Sequence, residues 1–423
     1  MKIRLAYGHH GLEVELPDQS VLLESHPTPG LKDEVRSLRN SMLDPIQDRP
    51  LPSKVKAGDK VVIVHSDITR ATPNDRILPV LIELLESEGV HSHDITLLNA
   101  LGTHRPQTDI ELREMLGDSI VDGYRCLQHD AYDDANLVQL GSTSFGSTLR
   151  VNRTYMEADV RILTGFIEPH FFAGFSGGPK GVLPAIAGAE SVLTNHSASM
   201  IGSQNATWGI TEGNPIWEEM LEAAILTQPT FLLNVTLNER REITGVFAGD
   251  LRAAHRAGCD FVKRSAMVSV EDSFDLVITT NSGYPLDQNL YQCVKGMSAA
   301  RQIVKQGGTI LMVAACADGL PDHGRYAELL SKAGSPRRIL EMVNSPGFHA
   351  QDQWQVQIQA MIQEHAEVCV FSEGLTQEQV ERALFTPCLD IGEMVRSRAG
   401  QLGRVAVLPQ GPLTIAYLKG AAV

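Results

Sequence analysis

The sequence contains no long hydrophobic run and has fewer basic than acidic residues. Its 423 residues include 36 Lys and Arg against 51 Asp and Glu, which gives a formal net charge of −15. An acidic chain is repelled by nucleic acid and by anionic membranes, and no apolar stretch reaches the roughly 18 residues of a membrane-spanning helix. We therefore expect a protein that binds neither, in which an anionic ligand would need a local cluster of Arg and Lys.

The cysteines are also sparse, and they stand far apart, at positions 126, 259, 293, 316, 369 and 388. Their spacing indicates neither a CxxC metal site nor a disulfide framework. The N-terminal segment MKIRLAYGHHGLEVELP lacks the apolar stretch of a signal peptide, and its alternation around Gly-His-His-Gly predicts a hairpin. These features predict a soluble, cytoplasmic protein.

What the sequence does contain is an alternation of apolar strands and amphipathic helices. KVVIVHSD (60–67), DITLLNALGTH (94–104) and ADVRILTGFIEPH (158–170) each indicate a strand that runs into a polar loop, with helical spacing in between. Residues 26–60 are rich in turn formers and are expected to run over the surface. The alternation predicts an α/β fold with a mainly parallel sheet covered on both faces.

A second α/β series begins near residue 270, with strands at FDLVITT, TILMVAA and EVCVF separated by helical segments. We therefore predict two α/β domains with mainly parallel sheets and an active-site cleft between them. The first, cofactor-binding domain is expected to span residues 1–268 and to be completed by the tail 403–423. The second, smaller domain, residues 269–402, is expected to close over the substrate.

Four polar loops stand out: SDITR, GTHRP, PHFFAGFSGGPKG and TNHS. Any one histidine in them is more simply explained as a solvated or hydrogen-bonded structural residue, and Arg70 could merely pair with Asp67. However, loops that follow successive parallel strands meet at one rim of the sheet. The loop around Lys180 resembles a phosphate loop, but Pro179 has no amide to donate and Gly181 has no hydroxyl for magnesium, which argues against an ATP-dependent phosphotransferase.

Read together, the motifs SDITRATP, NALGTHRP, EPHFFAGFSGGPKGVLPAIAG, TNHS, YQCVKG and LPQGP resemble the lactate racemase family in order and over about residues 60–415. That family consists of 2-hydroxyacid racemases and epimerases that use a nickel-pincer nucleotide. The sequence departs from the expected pattern at Ala185, where glycine is expected, and at Pro179.

The resemblance implies a cofactor site. Lys180 matches the lysine that carries the cofactor, a pyridinium-3,5-bisthiocarboxylic acid mononucleotide with nickel, through a covalent bond. His196 matches the metal ligand, and imidazole suits nickel in a square-planar site. Gly177, Gly178 and Asp67 are predicted to contact the cofactor. Other proteins must build the nucleotide, so cofactor-biosynthesis proteins are expected partners.

The resemblance also implies an isomerase that inverts the α-carbon of lactate or another short 2-hydroxyacid by reversible hydride transfer to the tethered nucleotide. His104 and His170 are then the two acid/base groups, one for each enantiomer. Substrate-binding residues are expected to be Arg70, Gln292, Lys295 and Tyr291. Further candidate walls of the substrate pocket are Phe171, Phe172 and Tyr284.

Two alternatives stay open at the level of the sequence. The enzyme could act on a larger 2-hydroxyacid, such as malate, an aromatic hydroxyacid or a sugar acid, with the same cofactor. It could instead bind the nickel nucleotide without turnover, which would leave two histidines without a role.

Overall fold

The computed structural model describes residues 1–26, 28–321, 324–399 and 403–420. The chain forms two compact units. Unit I comprises Pro27–His196 and Gly209–Arg264, and unit II comprises Met1–His26, Ser197–Trp208 and Ser265–Val423. Each unit contains a six-stranded sheet that is wholly or mainly parallel, so the prediction of two α/β domains is confirmed.

The strands are numbered in chain order: β1 (Lys2–Leu5), β2 (Leu12–Glu15), β3 (Val21–Leu22), β4 (Val61–Ser66), β5 (Ile95–Ala100), β6 (Arg125–Gln128), β7 (Leu137–Ser142), β8 (Thr148–Asn152), β9 (Val160–Phe166), β10 (Pro169–His170), β11 (Gly174–Phe175), β12 (Phe231–Leu237), β13 (Ile243–Gly249), β14 (Met267–Val270), β15 (Phe274–Thr280), β16 (Val304–Val313), β17 (Glu367–Phe371), β18 (Thr386–Pro387), β19 (Val405–Leu408) and β20 (Ile415–Leu418). The helices are α1 (Glu34–Leu43), α2 (Asn74–Ser87), α3 (Asp109–Leu116), α4 (Asp118–Gly123), α5 (Arg153–Met156), α6 (Ala189–Asn195), α7 (Ala198–Ile201), α8 (Pro215–Leu226), α9 (Leu251–Ala266), α10 (Leu290–Arg301), α11 (Tyr326–Ala333), α12 (Pro336–Val343), α13 (Gln353–Gln363), α14 (Gln377–Arg382) and α15 (Ile391–Ala399).

The sheet of unit I has the strand order β13-β12-β9-β4-β5-β6, and only the edge strand β13 runs antiparallel to its neighbour. Strands β4, β5 and β9 are apolar and buried along most of their length, as expected for a parallel sheet covered on both faces. Ile63, Leu97 and Ile162 from these strands share one core with Ile77 and Leu81 of α2. This core fixes the strand ends from which the polar loops emerge.

The sheet of unit II has the order β18-β17-β16-β15-β19-β3, and all its pairings are parallel. Its core joins Leu276, Leu311 and Val407 of the sheet to Leu5 and Val14 of the N-terminal hairpin β1-β2. The predicted hairpin is thus confirmed, with Leu5 paired to Leu12.

The domain boundaries differ from the sequence-based prediction, which placed residues 1–26 and the tail 403–423 in the first domain. In the described part of both segments that assignment is wrong. Strand β19 is fully buried and therefore needs a neighbour on each side, which it finds in β15 and β3 of unit II. Strand β20 pairs with β14. Residues 197–208 also group with unit II, although their chain neighbours belong to unit I.

Residues 26–60 are more regular than predicted, because helix α1 lies within them. Asp33 caps this helix by accepting the backbone N–H of Arg36 at 2.9 Å. Leu38 and Met42, four residues apart, bury one face of the helix. Across the residues that the structure describes, no helix is both long and apolar enough to cross a membrane.

Candidate active site

Three neighbouring parallel strands of unit I deliver the polar loops of the candidate site. Strand β4 lies between β9 and β5, and all three end at the same edge of the sheet. Asp67 and Arg70 follow β4, His104 follows β5, and the segment with His170 and Lys180 follows β9. This is the edge at which open α/β sheets bind ligands.

The imidazole of His104 is bonded to a buried carboxylate. His104 Nδ1 lies 2.5 Å from Asp67 Oδ2, and the Asp67 side chain is 2% exposed whereas that of His104 is 47% exposed. Thr69 donates its hydroxyl to the other carboxylate oxygen at 2.7 Å. Because a carboxylate can only accept, Nδ1 carries the hydrogen, and in the neutral ring Nε2 keeps its lone pair.

The charge state of Asp67 follows from the same contacts. Burial alone would raise the pKa of its carboxyl group, but the hydrogen bond and charge of His104, together with Arg70 and Thr69, lower that pKa below its usual range. Asp67 is therefore ionised at neutral pH. The carboxylate that we predicted to contact a cofactor thus orients His104 in the structure.

The loop that carries His104 is hydrogen-bonded to the segment that follows Lys180. Gly102, with a φ of +55°, donates its N–H to the carbonyl of Ala185 at 2.9 Å. Gln107 and Gln128 close the other end of the loop, since the Gln107 N–H donates to Gln128 Oε1 at 2.7 Å and Gln128 Nε2 donates to the Gln107 carbonyl at 2.8 Å. Ala185 has a negative φ, so its backbone does not require the glycine expected there.

His170 lies in a tight hairpin. It pairs with Gly174 across β10 and β11. A side chain at Gly174, which has a φ of +77°, would place Cβ 2.1 Å from the carbonyl oxygen of Ile210. His170 Nδ1 accepts the N–H of Ala173 at 3.3 Å. In the neutral ring the hydrogen therefore resides on Nε2, the opposite arrangement to His104.

The ring of Phe172 lies next to three predicted site residues, His170, His196 and Lys180. Its ring lies 4.5 Å from that of His170 and 5.0 Å from that of His196, centre to centre, and edge-on to both. Lys180 Nζ lies 5.5 Å from the centre of the same ring. The Phe172 carbonyl accepts Asn214 Nδ2 at 2.9 Å, which fixes the backbone. The structure thus brings His170, Lys180 and His196 together around one buried aromatic side chain.

His196 lies at the C-terminal end of α6 and is buried. Burial, with a further contribution from the charge of Lys180, lowers the pKa of His196 to about 3. The ring is therefore neutral at physiological pH, the state in which imidazole binds a metal ion. The preceding residue, Asn195, is held by Nδ2 bonds to Glu219 at 2.8 Å and to the Ile216 carbonyl at 3.2 Å.

The donor set fits a metal brought by a nucleotide better than one held by protein groups. Within the described ranges, no group of three or more His, Cys, Asp or Glu side chains could hold a metal ion. His196 offers a neutral imidazole, and a half-buried lysine is close enough to affect its charge state. A metal at His196 would thus take its other ligands from a bound molecule, which is compatible with the predicted nickel nucleotide.

The glycine-rich loop also fits close approach of a ligand. Gly177 and Gly178 have φ values of +74° and +54°, and Gly178–Gly181 form a single 3-10 turn. Pro179 stands in the first turn, where its missing N–H costs no hydrogen bond. Two residues that the sequence analysis missed support this loop, Asn234 and His255. Asn234 could have been noticed in the sequence, because it is a polar residue in the mostly apolar strand FLLNVTL.

The remaining predicted residues lie on α10 in unit II. Asn289 caps this helix by accepting the Gln292 N–H at 3.1 Å, and Lys295 follows Gln292 by three residues on the same helix. The Tyr291 carbonyl accepts Gln355 Nε2 of α13 at 2.5 Å. The predicted role of these α10 residues in substrate binding stays a prediction.

Two of the proposed pocket walls are buried and one is exposed. Phe171 and Phe172 are buried, whereas Tyr284 is 53% exposed and stacks on His9, with 4.0 Å between ring centres. Phe172 therefore lies in a cluster of rings with His170 and His196, and Tyr284 does not belong to that cluster.

Comparison with known families identifies the class. Residues 7–209 match the lactate racemase N-terminal domain and residues 270–415 the lactate racemase C-terminal domain. The chain is therefore an enzyme of the isomerase class, a racemase. It belongs to the lactate racemase family, and the resemblance seen in its motifs is confirmed.

The chain is similar to named relatives over most of its length. It is 39% identical over 383 residues to the lactate racemase of Lactiplantibacillus plantarum, covering 89% of this chain and 90% of the relative. It is 34% identical over 418 residues to that of Thermoanaerobacterium thermosaccharolyticum, covering 97% of each. The structure of the lactate racemase apoprotein from the latter organism superposes with a TM-score of 0.91 over 98% of this chain. A Thermotoga maritima protein that is 18% identical, with a TM-score of 0.70, shares the fold.

Proposed function

We propose that this chain interconverts the enantiomers of lactate. Its family, and two relatives named lactate racemase that align with nearly the whole chain, support the proposal. The observation that carries it is the pairing of His104 with buried Asp67. An exposed imidazole with a fixed tautomer and a free Nε2 lone pair is suited to take a proton from a substrate hydroxyl.

The proposal includes a nickel-pincer nucleotide tethered to Lys180, with His196 as the protein ligand of the metal. Gly177 and Gly178 would allow the backbone to approach the nucleotide closely, and Asp67 is proposed to contact it as well. When bound, the nucleotide would supply an electrophilic centre for a hydrogen that leaves the α-carbon with its electron pair. Other proteins would have to supply this cofactor.

His104 handles the hydroxyl proton in one direction. Its Nε2 accepts the proton as the α-hydrogen leaves with its electrons, which produces the 2-ketoacid. The imidazolium that forms is stabilised by the ionised Asp67 carboxylate, to which its Nδ1–H already donates. Once the ketoacid has turned its other face, the α-hydrogen would return with its electron pair to the same carbon while the oxygen takes a proton from His170, which completes the inversion.

His170 is proposed to serve the opposite enantiomer. In the neutral ring Nε2 carries the hydrogen, because Nδ1 accepts the Ala173 N–H. This ring therefore presents a donor to the substrate oxygen. To act as a base at Nε2 it must exchange tautomers and give up that bond, which at 3.3 Å is long and contributes about 1 kcal/mol or less.

Arg70 is proposed to bind the substrate carboxylate through two parallel N–H donors. Gln292, Lys295 and Tyr291 are proposed as further substrate-binding residues, on the basis of the family resemblance. Such contacts would fix the orientation of the Cα–H bond relative to the histidines. Arg70 and Lys295 would supply the cationic groups that an anionic substrate needs in an acidic protein.

The test is to produce the protein together with cofactor-building proteins and nickel, and to offer it enantiopure lactate. Chiral chromatography should show conversion from either enantiomer to the same racemic mixture. The same preparation is then offered malate, aromatic hydroxyacids and sugar acids. Loaded protein that inverts one of these and leaves lactate unchanged would refute the proposed substrate, and loaded protein inert towards all would refute turnover itself.

A further inference from the structure

The loop that carries Lys180 packs closely against two buried polar side chains, those of Asn234 and His255. A Cβ atom at Gly177 would lie 2.6 Å from Asn234 Oδ1, and one at Gly178 would lie 2.4 Å from Cδ2 of the His255 ring. Both distances are too short for any side chain, and both glycines have positive φ values. The loop can adopt this path only because these positions have no side chains.

Asn234 supplies a hydrogen bond to the backbone of the loop. It lies in β12, is 1% exposed, and accepts the N–H of Gly178 through Oδ1 at 2.7 Å. Its Nδ2 donates to the carbonyl of Leu233 at 3.1 Å. A buried amide in an apolar strand costs free energy unless it is bonded, so the loop and Asn234 satisfy each other.

His255 supplies a second bond from α9. Its Nε2 lies 2.9 Å from the carbonyl oxygen of Ser176, which can only accept, so Nε2 carries the hydrogen. Burial lowers the pKa of His255 to about 4, which keeps the ring neutral. The ring stacks on Trp217 at 6.2 Å between centres, and the Cys259 sulfur lies 3.7 Å from Nδ1.

Two further residues of α9, Gly258 and Lys263, also lie close to the segment that leads to Lys180. A Cβ at Gly258 would lie 2.2 Å from Cδ1 of Ile167, so the helix packs directly on the start of the loop. Lys263 Nζ lies 5.8 Å from the centre of the Phe175 ring. The helix thus contacts residues of the segment from 167 to 178, which ends at the first residue of the turn that contains Lys180.

We propose that His255 and Asn234 are positioning residues that hold the Lys180 loop in its final conformation before any cofactor binds. Their bonds reach Ser176 and Gly178, four and two residues before the lysine, and the Lys180 N–H continues the chain by donating to the Gly177 carbonyl at 3.2 Å. A loop fixed in advance loses little conformational entropy when its lysine is modified. That Lys180 is the tethering residue rests on the function proposed above, whereas the conformation of the loop does not.

The test uses full-length apoprotein and hydrogen–deuterium exchange of peptides that cover residues 168–182. In His255→Gln the side-chain amide can replace the Nε2–H donor, whereas His255→Phe keeps a ring and loses the donor. We expect exchange in this segment to become roughly tenfold faster in His255→Phe and to change by less than about twofold in His255→Gln. Peptides that cover β4 serve as an internal reference and should not change.

A folded His255→Phe protein with unchanged exchange, or equal acceleration in both variants, would overturn the proposal, because the ring would then only fill space. If His255→Phe fails to fold, Asn234→Ala is compared with Asn234→Asp, which keeps an acceptor oxygen, and only the former should accelerate exchange. Intact mass of protein made with the cofactor pathway separates the two proposals. A wild-type protein without an adduct contradicts the tether and leaves the exchange result standing.

Discussion

The Lys180 ammonium group lies 5.5 Å from the centre of the Phe172 ring. The same ring is edge-on to His170 and to His196. Phe172 is therefore the shared neighbour of the residues to which we assign cofactor attachment, metal binding and proton transfer.

The first prediction concerns this ring. Phe172→Leu should lower both the nickel content and the fraction of protein with an adduct on Lys180, since leucine leaves part of the space between the three groups empty. Phe171→Leu is the matched control, because Phe171 contacts His170 and Phe172. Each change removes buried carbon atoms and should lower the free energy of unfolding by roughly 1–2 kcal/mol. Equal loss of nickel in both variants would show that Phe172 has no special place.

The second prediction concerns Asp67. Asp67→Asn replaces an acceptor with a group that can also donate, so His104 loses its fixed tautomer, and we expect kcat to fall about 100-fold with little change in KM. Thr69→Val removes one bond to the carboxylate and keeps its charge, and should cost less than about tenfold. Loss of the Lys180 adduct in Asp67→Asn would instead favour a direct contact between Asp67 and the cofactor.

The third prediction separates the histidines by role. His196→Ala should lower the amount of nickel retained per protein at least about fivefold, because it removes the proposed metal ligand. His104→Ala should retain nickel and the Lys180 adduct while racemisation is suppressed. Metal analysis and intact mass of the same preparations provide the comparison. Nickel loss in His104→Ala with nickel kept in His196→Ala would reverse the two assignments.

The fourth prediction concerns stability in acid. Burial lowers the pKa of His65 to about 4, well below the value of about 6.5 in an unfolded chain. Between these values the unfolded state binds the proton and the folded state does not, so this group destabilises the protein as the pH falls through the window from about 6.5 to 4. The slope from one such histidine is at most about 1.4 kcal/mol per pH unit.

Urea unfolding of the apoprotein at pH 7 and pH 5 tests this. His65→Asn should lose less stability than the wild type between the two pH values, because asparagine does not titrate. His93→Asn, at an exposed position, serves as the control and should follow the wild type. Parallel loss in all three proteins would mean that His65 does not contribute to the acid sensitivity.

The elements that were predictable from the sequence are those set by local pattern. Strand β4 is predictable because a run of apolar residues meets the demands of a buried parallel strand, and helix α3 because Thr108 and Glu111 form a capping box. The pairing of β19 with β15 and β3 joins residues that are far apart in the sequence, such as Leu276 with Val405 and Val21 with Ala406. Nothing in the local sequence of the tail distinguishes one sheet from the other, so the tail was assigned to the wrong domain.

The candidate site divides in the same way. His104, His170, Lys180 and His196 could be proposed because they stand in motifs, whereas the bond from His104 to Asp67 could not, since Arg70 is nearer in sequence and of opposite charge. His255 was missed because a single histidine on a helix has no distinctive signal. Its contact with Gly178 exists only in the folded chain.

The central claim is that the α-hydrogen of lactate leaves with its electron pair and returns to the same carbon, while the histidines move only the hydroxyl proton. Loaded protein is given L-lactate deuterated at carbon 2 in ordinary water, and the D-lactate formed is analysed by mass spectrometry. The account predicts D-lactate that keeps most of its deuterium. D-lactate in which the label has been replaced by solvent hydrogen would contradict it, because a proton taken up by imidazole exchanges with water.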